Sequence, residues 1–97
     1  MVIISKTTLN SYATTHSTSA EALNNWYAIA KKSDWQSFTD IKKTFNSVDA
    51  VGNDRYVFNI KGNSYRLITM IHFDKRTIYI RFIGTHSEYD KIDCSTI

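Results

Sequence analysis

The chain has few of the residues that cross-link a fold or bend its backbone sharply. Its 97 residues include no proline, three glycines and one cysteine, Cys94. A single cysteine excludes an intrachain disulfide and a zinc site built on several thiolates. Without proline, the loops have to be formed by Gly, Asn, Asp and Ser.

Long apolar runs are absent as well. The first four residues are apolar but have no basic leader, so the start does not resemble a signal peptide. No run approaches the roughly 20 apolar residues of a membrane span. The composition, 42% hydrophobic and 22% charged, is typical of a globular protein. We therefore expect one cytoplasmic domain, residues 1–97, that does not enter a membrane.

The net charge of +3 is mild, but the basic residues are unevenly distributed. Residues 1–54 carry five basic and five acidic side chains, whereas residues 55–86 carry six basic side chains and one acid, Asp74. A basic C-terminal part suits contact with a polyanion such as a nucleic acid. The alternative is that these side chains only protect strand edges from aggregation.

The N-terminal half predicts a short strand and three helices. The strand is Val2–Ile4, and Ser5 can cap the helix that follows it. Thr18 and Glu21 have the spacing of a capping box, which predicts a second helix from residue 19 to about residue 32. Ser37 opens a third, shorter helix. The residues expected to face the core are Leu9, Tyr12 and Ala13, then Leu23, Trp26, Tyr27 and Ala30, and finally Phe38, Ile41 and Phe45.

After residue 47 the apolar period changes from 3.6 to 2, which predicts strands. They are expected at residues 48–51, 55–61, 64–73 and 77–85. Gly62-Asn63 is a two-residue hairpin signal, since glycine adopts positive φ without strain. The fold class is therefore α+β: a short N-terminal strand and two to three helices packed on one face of a mainly antiparallel C-terminal sheet.

The register of both hairpins follows from the apolar pattern. In the first hairpin Ile60 lies opposite Tyr65. In the second, Leu67 is expected opposite Phe82, because a one-residue slip would drive Arg81 into the apolar face. The helix-facing side chains are then Tyr56, Phe58, Ile60, Tyr65, Leu67, Ile71, Ile78, Ile80 and Phe82. The opposite face, expected to be open, carries Asn59, Lys61, Arg66, Ile68, Met70, His72, Tyr79, Arg81 and Ile83.

Acid/base groups follow directly after the last predicted strand. His86, Tyr89 and Asp90 share one face if this segment forms a helical turn. An imidazole beside a phenol is a plausible acid/base pair. The alternative is a structural C-terminal turn, in which Tyr89 packs on the sheet and Asp90 caps it.

Other chemistries find no support in the sequence. The three histidines and Cys94 show no recognised spacing of metal ligands. A glycine-rich phosphate loop and a dinucleotide fingerprint are also missing. We therefore expect neither a metal nor a cofactor.

Two runs in the C-terminal part resemble a known family. They are residues 59–68 (NIKGNSYRLI) and residues 78–90 (IYIRFIGTHSEYD). Their sequences closely resemble those of the HigB-type mRNA interferase toxins of type II toxin–antitoxin systems, within the RelE-like superfamily. The similarity spans about residues 55–93, while the N-terminal half agrees in layout and size.

The resemblance implies a small α+β toxin that binds the ribosome and cleaves mRNA during translation. In such enzymes the ribose 2′-OH attacks its own phosphate without a metal. A HigA-type helix-turn-helix antitoxin is implied as the neutralising partner. A non-catalytic RNA- or protein-binding toxin of the same superfamily is the alternative.

The resemblance also implies roles for individual residues. His86 and Tyr89 are expected to share the acid/base work, and Arg66 and Arg81 to clamp the scissile phosphate. Asp90 could orient a base or act as a cap. Further contacts to RNA are expected from Lys61, Arg55, Lys75, Arg76, Asn63 and Lys91.

Overall fold

Five β-strands and four α-helices make up the fold in the computed structural model, which describes all 97 residues. They are β1 (Val2–Ile4), α1 (Lys6–Thr15), α2 (Ala20–Lys32), α3 (Phe38–Thr44), β2 (Val48–Gly52), β3 (Arg55–Ile60), β4 (Tyr65–His72), β5 (Thr77–Thr85) and α4 (His86–Tyr89), with a 3-10 turn at Ser17–Ser19. The predicted strands and the first three helices are confirmed to within about two residues. None of the helices is long and apolar enough to cross a membrane.

One sheet contains all five strands, in the order β1-β5-β4-β3-β2. β1 runs parallel to β5, and the other neighbouring pairs are antiparallel. The parallel pair needs a long crossover, which α1–α3 and the other strands supply. The helices pack on one face of the sheet through a shared apolar cluster. The predicted α+β class with a mainly antiparallel sheet is confirmed.

An aromatic cluster around Phe58 forms the centre of the core. Phe58 is 1% exposed, and its ring centroid lies 5.3 Å from Trp26, 6.2 Å from Trp35 and 5.6 Å from Phe45. These side chains come from α2, β3 and the segments on either side of α3. Aromatic pairs at such distances add to the apolar area that they bury. The cluster therefore fixes the helices to one face of the sheet.

The helix starts differ from the predicted ones. Ser5, at the N-terminal cap of α1, makes no side-chain cap bond. The predicted capping box at Thr18 and Glu21 is wrong: α2 begins at Ala20, and the Thr18 hydroxyl instead hydrogen-bonds the Tyr65 hydroxyl. Ser37 precedes α3 as predicted, also without a side-chain cap bond. These helices are therefore held by packing more than by their caps.

A β-bulge at Arg81 changes the register of the second hairpin. Ile60 pairs with Tyr65 as predicted, but Leu67 pairs with Ile83 rather than with Phe82. The register shift puts one extra residue, Arg81, into β5. Ile83 consequently joins the helix-side core, and Phe82 moves to the other face, which reverses the prediction for both.

The face turned away from the helices, here called the outer face, is partly covered by the chain itself. Its apolar side chains Val57 and Ile68 are 3% and 0% exposed, although neither belongs to the helix-side cluster. Residues 90–97, here called the C-terminal segment, fold back over it: the side-chain Nδ2 of Asn53 donates to the Ser95 carbonyl oxygen at 3.0 Å. The expectation of a fully open face is therefore wrong.

Candidate active site

His86 is held at the start of α4, directly after β5. The Glu88 amide donates to Thr85 Oγ1 at 3.2 Å, and the Thr85 amide donates to Glu88 Oε1 at 2.8 Å. This reciprocal capping box satisfies two free amides of the helix start. The main-chain hydrogen bond from Thr85 also lowers the pKa of Glu88, so its carboxylate stays ionised at neutral pH. The direction in which the chain leaves the sheet is thereby set.

Gly84 allows this junction to pack closely. A Cβ atom at position 84 would lie 2.5 Å from Cζ of Phe82 and 3.0 Å from Oε1 of Glu88. Any side chain there would displace the Phe82 ring or the carboxylate of the capping box. The step from β5 to His86 therefore contains no flexible linker.

The imidazole of His86 is oriented by Asp90. Nδ1 of His86 lies 3.1 Å from Oδ2 of Asp90, one helical turn along, and the two side chains are 49% and 60% exposed. When Nδ1–H donates to this carboxylate, Nε2 carries the free lone pair. The predicted helical turn is confirmed, and it presents His86 with a nitrogen that can accept a proton from a ligand.

Tyr89 lies against the sheet between Arg66 and Cys94. The Arg66 guanidinium carbon is 5.4 Å from the centroid of the Tyr89 ring, a cation–π distance. The Tyr89 hydroxyl donates to Sγ of Cys94 at 3.5 Å. This hydrogen bond, together with burial, raises the pKa of Tyr89 to about 12, against the opposing effect of Arg66. At neutral pH Tyr89 therefore keeps its proton and can act as a donor.

Replacing Cys94 by alanine should lower the pKa of Tyr89 from about 12 towards the ordinary tyrosine value of 10.0, because the hydrogen bond to Sγ is the largest cause of the shift. A titration followed by phenolate absorbance measures it, and Tyr89→Phe identifies this residue among the six tyrosines. A pKa raised on folding stabilises the fold below the unfolded value, and this contribution is lost as the pH rises to about 12. A Cys94→Ala titration identical to the parent's would contradict the assignment.

Arg66 and Asn59 lie opposite each other in the ladder of β3 and β4. Nε of Arg66 and Oδ1 of Asn59 are both buried, and neither has a hydrogen-bond partner. Buried polar groups are nearly always paired, and an unpaired one costs about 1–3 kcal/mol. The fold therefore keeps Arg66 in this position, with its guanidinium over the Tyr89 ring, at a cost in stability.

The structure does not bring Arg81 to Arg66. Arg66 pairs with Gly84, so Arg81 lies about three residues away along β5, or roughly 10 Å. Arg81 instead reaches towards Arg55: Nε of Arg81 and Nη2 of Arg55 donate to the same main-chain oxygen of Ile97, at 3.3 and 2.9 Å. The outer face therefore contains two separate basic groups.

The remaining predicted RNA-binding residues fall into two sets at opposite ends of the sheet. Lys61 and Asn63 lie exposed in the β3–β4 turn and Lys91 follows α4, at the His86 end. Lys75 and Arg76 lie in the β4–β5 turn, one strand length or roughly 26 Å from Thr85 along β5.

Two of these cations are also engaged with the helix side of the molecule. Lys61 borders a cleft of about 300 Å³ beside the start of α2. Arg76 forms an ion pair with Asp34, which lies between α2 and α3. Because Lys75 and Arg76 lie at the opposite end of the sheet, they are too distant to touch the same phosphate as Arg66.

Sequence reasoning missed the contacts made by the C-terminal segment. Ile97 contacts Arg55 and Arg81, which are distant in sequence. Cys94 contacts Tyr89 from only five residues away, in a segment without regular secondary structure. No periodicity signals either contact. The capping box at Thr85 and Glu88 is visible in the sequence, since it has the same Thr-x-x-Glu spacing as Thr18 and Glu21. The pairing of Asn59 with Arg66 follows directly from the predicted register of the first hairpin.

The chain is similar to known proteins over most of its length. Residues 19–92 match the family described as HigB toxin, the RelE-like toxic component of a toxin-antitoxin system. An mRNA interferase HigB of Escherichia coli O6:H1 is 31% identical over 94 residues, which cover 95% of this chain and 91% of that protein. The mRNA interferase toxin HigB of Escherichia coli K12 and the mRNA interferase HigB of Shigella flexneri are each 36% identical over 77 residues, covering 77% of this chain and 71% of theirs.

Proposed function

The chain belongs to the HigB family of RelE-like toxins, the toxic components of toxin-antitoxin systems, and from this premise we propose that it is an mRNA interferase. It cleaves messages in the cytoplasm while the ribosome translates them, and so arrests translation and growth. The relatives named mRNA interferase support the activity.

The observation that carries the proposal is the grouping of three kinds of catalytic side chain at one end of the outer face. His86 is oriented by Asp90 at 3.1 Å, and Tyr89, in the same helical turn, lies 5.4 Å from the Arg66 guanidinium. A base, a neutral phenol and a cation are the groups that internal transesterification of RNA requires. A protein that only binds RNA has no need of an oriented imidazole.

The proposed reaction uses each group once. Nε2 of His86 takes the proton of the ribose 2′-OH while the 2′-oxygen attacks the neighbouring phosphorus. The bond from phosphorus to the 5′-oxygen breaks, and Tyr89 donates its proton to that leaving oxygen. The Arg66 guanidinium donates hydrogen bonds to the non-bridging oxygens, whose charge grows in the transition state. The products are a cyclic 2′,3′-phosphate and a free 5′-hydroxyl.

A cognate antitoxin completes the proposed system. Membership of a toxin-antitoxin family supports an antitoxin as partner, and we propose one of the HigA helix-turn-helix type. Lys61, Asn63 and Lys91 border the catalytic end, where they would hold further backbone phosphates or ribosomal RNA, a salt-sensitive contribution.

Brief induction of the chain, followed by primer extension on cellular mRNA, tests the function. Breaks in phase with the reading frame that carry 5′-hydroxyl ends are expected, and they should disappear when translation initiation is blocked. Intact messages together with growth arrest would overturn the proposal in favour of a non-catalytic toxin. Cleavage of RNA that is free of ribosomes would show that the activity does not depend on the ribosome.

A further inference from the structure

We propose that the cleft between α1 and β5, here called the α1 cleft, binds one base of a single-stranded RNA close to the cleaved phosphate. The inference rests on the proposed function, since it takes the mRNA substrate as the ligand. It gives the cleft a role in base recognition that is separate from the catalytic group at Arg66, His86 and Tyr89.

The α1 cleft lies beside a part of β5 that has no neighbouring strand on one side. β1 pairs only with residues 77–79 of β5, so residues 80–85 form an open edge. Arg81, Phe82 and Ile83 line the cleft from this edge, and one face of α1 lines it from the other side. Its volume of about 650 Å³ is within the range of small-molecule sites.

Main-chain groups of Ile83 point towards the open edge. The Thr85 amide donates to Glu88 Oε1 and not to β4, so Thr85 and Tyr65 form a non-hydrogen-bonded pair. Pairs in an antiparallel ladder alternate, which makes Leu67 and Ile83 a non-hydrogen-bonded pair as well. The Ile83 amide and carbonyl therefore point away from β4, where no strand of the sheet bonds them. They offer one donor and one acceptor to the edge of a base.

The helix side of the α1 cleft carries hydroxyl groups without an intramolecular partner. Thr14 Oγ1 and Thr15 Oγ1 donate to main-chain oxygens about one helical turn earlier. The exposed hydroxyls of Thr7, Thr8 and Ser11, which line the cleft, make no such bond. Each of them can both donate and accept a hydrogen bond. The cleft therefore presents several of the groups that recognise the edge of a base.

Phe82 gives the α1 cleft an aromatic surface next to the catalytic end. Its ring is half-buried and packs over Gly84, two residues before His86. A base that enters the cleft can stack on this ring, a contact that any of the four bases can make. Selection among the bases would then come from the hydroxyls of α1 and the main chain of Ile83.

The charge of the α1 cleft also suits RNA. Arg81 is exposed at its border, and no acidic side chain lines it. The carboxylate of Glu88, near Phe82, is engaged by the Thr85 amide at 2.8 Å. Strand addition by a peptide needs only the main-chain edge. The cation, the ring and the free hydroxyls together therefore favour a nucleotide as the ligand.

The α1 cleft is within reach of a strand that is held at the catalytic end. Arg66 pairs with Gly84, and Phe82 is two residues away from Gly84 along β5, or roughly 7 Å. One nucleotide of an extended single strand can span such a step. Arg66 would then hold the cleaved phosphate while the base of a flanking nucleotide enters the cleft.

Removing single bases from an RNA that cannot be cleaved tests the inference. Fluorescence anisotropy measures binding of 2′-O-methyl hexanucleotides in which each position in turn lacks its base. One position should show a loss of affinity of about tenfold, which is within the usual contribution of a stacked base. A variant with both Thr8→Leu and Ser11→Leu fills the cleft from two exposed helix positions. It should reduce that loss to about twofold or less.

Two single variants accompany the filled one. Phe82→Leu keeps an apolar side chain and removes the ring, so the loss should fall to about threefold. Thr14→Leu is the matched control, an exposed position of α1 that does not line the cleft, and it should behave like the parent. The inference is wrong if the parent shows no such loss at any position, or if the folded filled variant shows the same loss as the parent. Thermal unfolding of each variant verifies that it is folded.

An NMR titration distinguishes an RNA ligand from a peptide. The amide signals of Phe82 and Ile83 should shift with the hexanucleotide in the parent and stay in place in the filled variant. A hexapeptide of alternating threonine and valine, which favours an extended strand, should leave them unchanged. Shifts with this peptide but not with RNA would make the cleft a strand-addition site and overturn the inference.

The same measurements separate the α1 cleft from the proposed function, because the RNA in them is not cleaved. Base-dependent binding at the cleft by a chain that leaves mRNA intact would support the cleft and remove only the proposed function. Normal mRNA cleavage without base-dependent binding would remove the cleft and leave the function intact.

Discussion

Replacing His86 by alanine should slow mRNA cleavage by about 10²- to 10⁴-fold, the usual contribution of a positioned general base. The imidazole is the one group at the catalytic end that is oriented by a carboxylate and presents a free nitrogen, since Asp90 holds Nδ1 at 3.1 Å. Single-turnover cleavage of message on stalled ribosomes measures the effect. The side chain is 49% exposed, so the fold should tolerate its removal.

His72→Gln is the matched control for this variant. His72 lies on the same outer face but at the other end of β4, near Asp54. It should cleave at close to the parent rate and unfold at a similar temperature. Parent-rate cleavage by a folded His86→Ala protein would exclude His86 as the base. A loss as large in His72→Gln would mean that the whole face, rather than its catalytic end, determines the rate.

Replacing Arg66 by alanine should slow cleavage by about 10²- to 10³-fold, as for the loss of one preorganised donor to a developing oxyanion. The guanidinium lies over the Tyr89 ring, and its buried Nε has no partner in the free protein. Arg66→Lys keeps the charge and loses the forked geometry, so its rate should fall between those of the parent and the alanine variant. The loss should appear in the rate at saturating ribosome concentration more than in the affinity.

Two further variants make the Arg66 result interpretable. Tyr89→Phe removes the hydroxyl and keeps the ring under Arg66. It therefore distinguishes the loss of proton donation by Tyr89 from the loss of the Arg66 guanidinium. Lys43→Gln removes a cation from α3 and should cleave normally. If Arg66→Ala is folded and cleaves like the parent, the scissile phosphate is held elsewhere, with Arg81 as the other candidate.

The strands could be predicted from the sequence because their signals are local. Alternation of apolar residues and the Gly62-Asn63 turn specified the first hairpin, and Ile60 does pair with Tyr65. The predicted register of the second hairpin is wrong beyond the bulge at Arg81. Phe82 and Ile83 are adjacent and both apolar, so the pattern permits either to face the core, and only packing against the helices selects Ile83.

The candidate site was predictable for the same reason, and only in part. His86 and Asp90 are four residues apart, and the spacing alone implies that they meet in a helical turn. Thr18 and Thr85 are each followed three residues later by a glutamate, so the sequence predicts a capping box at either position. Only Thr85 forms one. Thr18 does not cap a helix because its hydroxyl hydrogen-bonds the hydroxyl of Tyr65, which is distant in sequence. The contacts of Ile97 with Arg55 and Arg81 likewise join residues that are distant in sequence.

The capping box at Thr85 and Glu88 couples two properties that are usually separate in a sequence. Four consecutive positions, 85–88, encode both the helix start and the imidazole that we propose as the catalytic base. A saturation mutagenesis survey of growth arrest should therefore rank Thr85 and Glu88 among the intolerant positions, although neither has a role in the proposed reaction. In this toxin, mutational sensitivity would overstate the number of residues that contact the substrate.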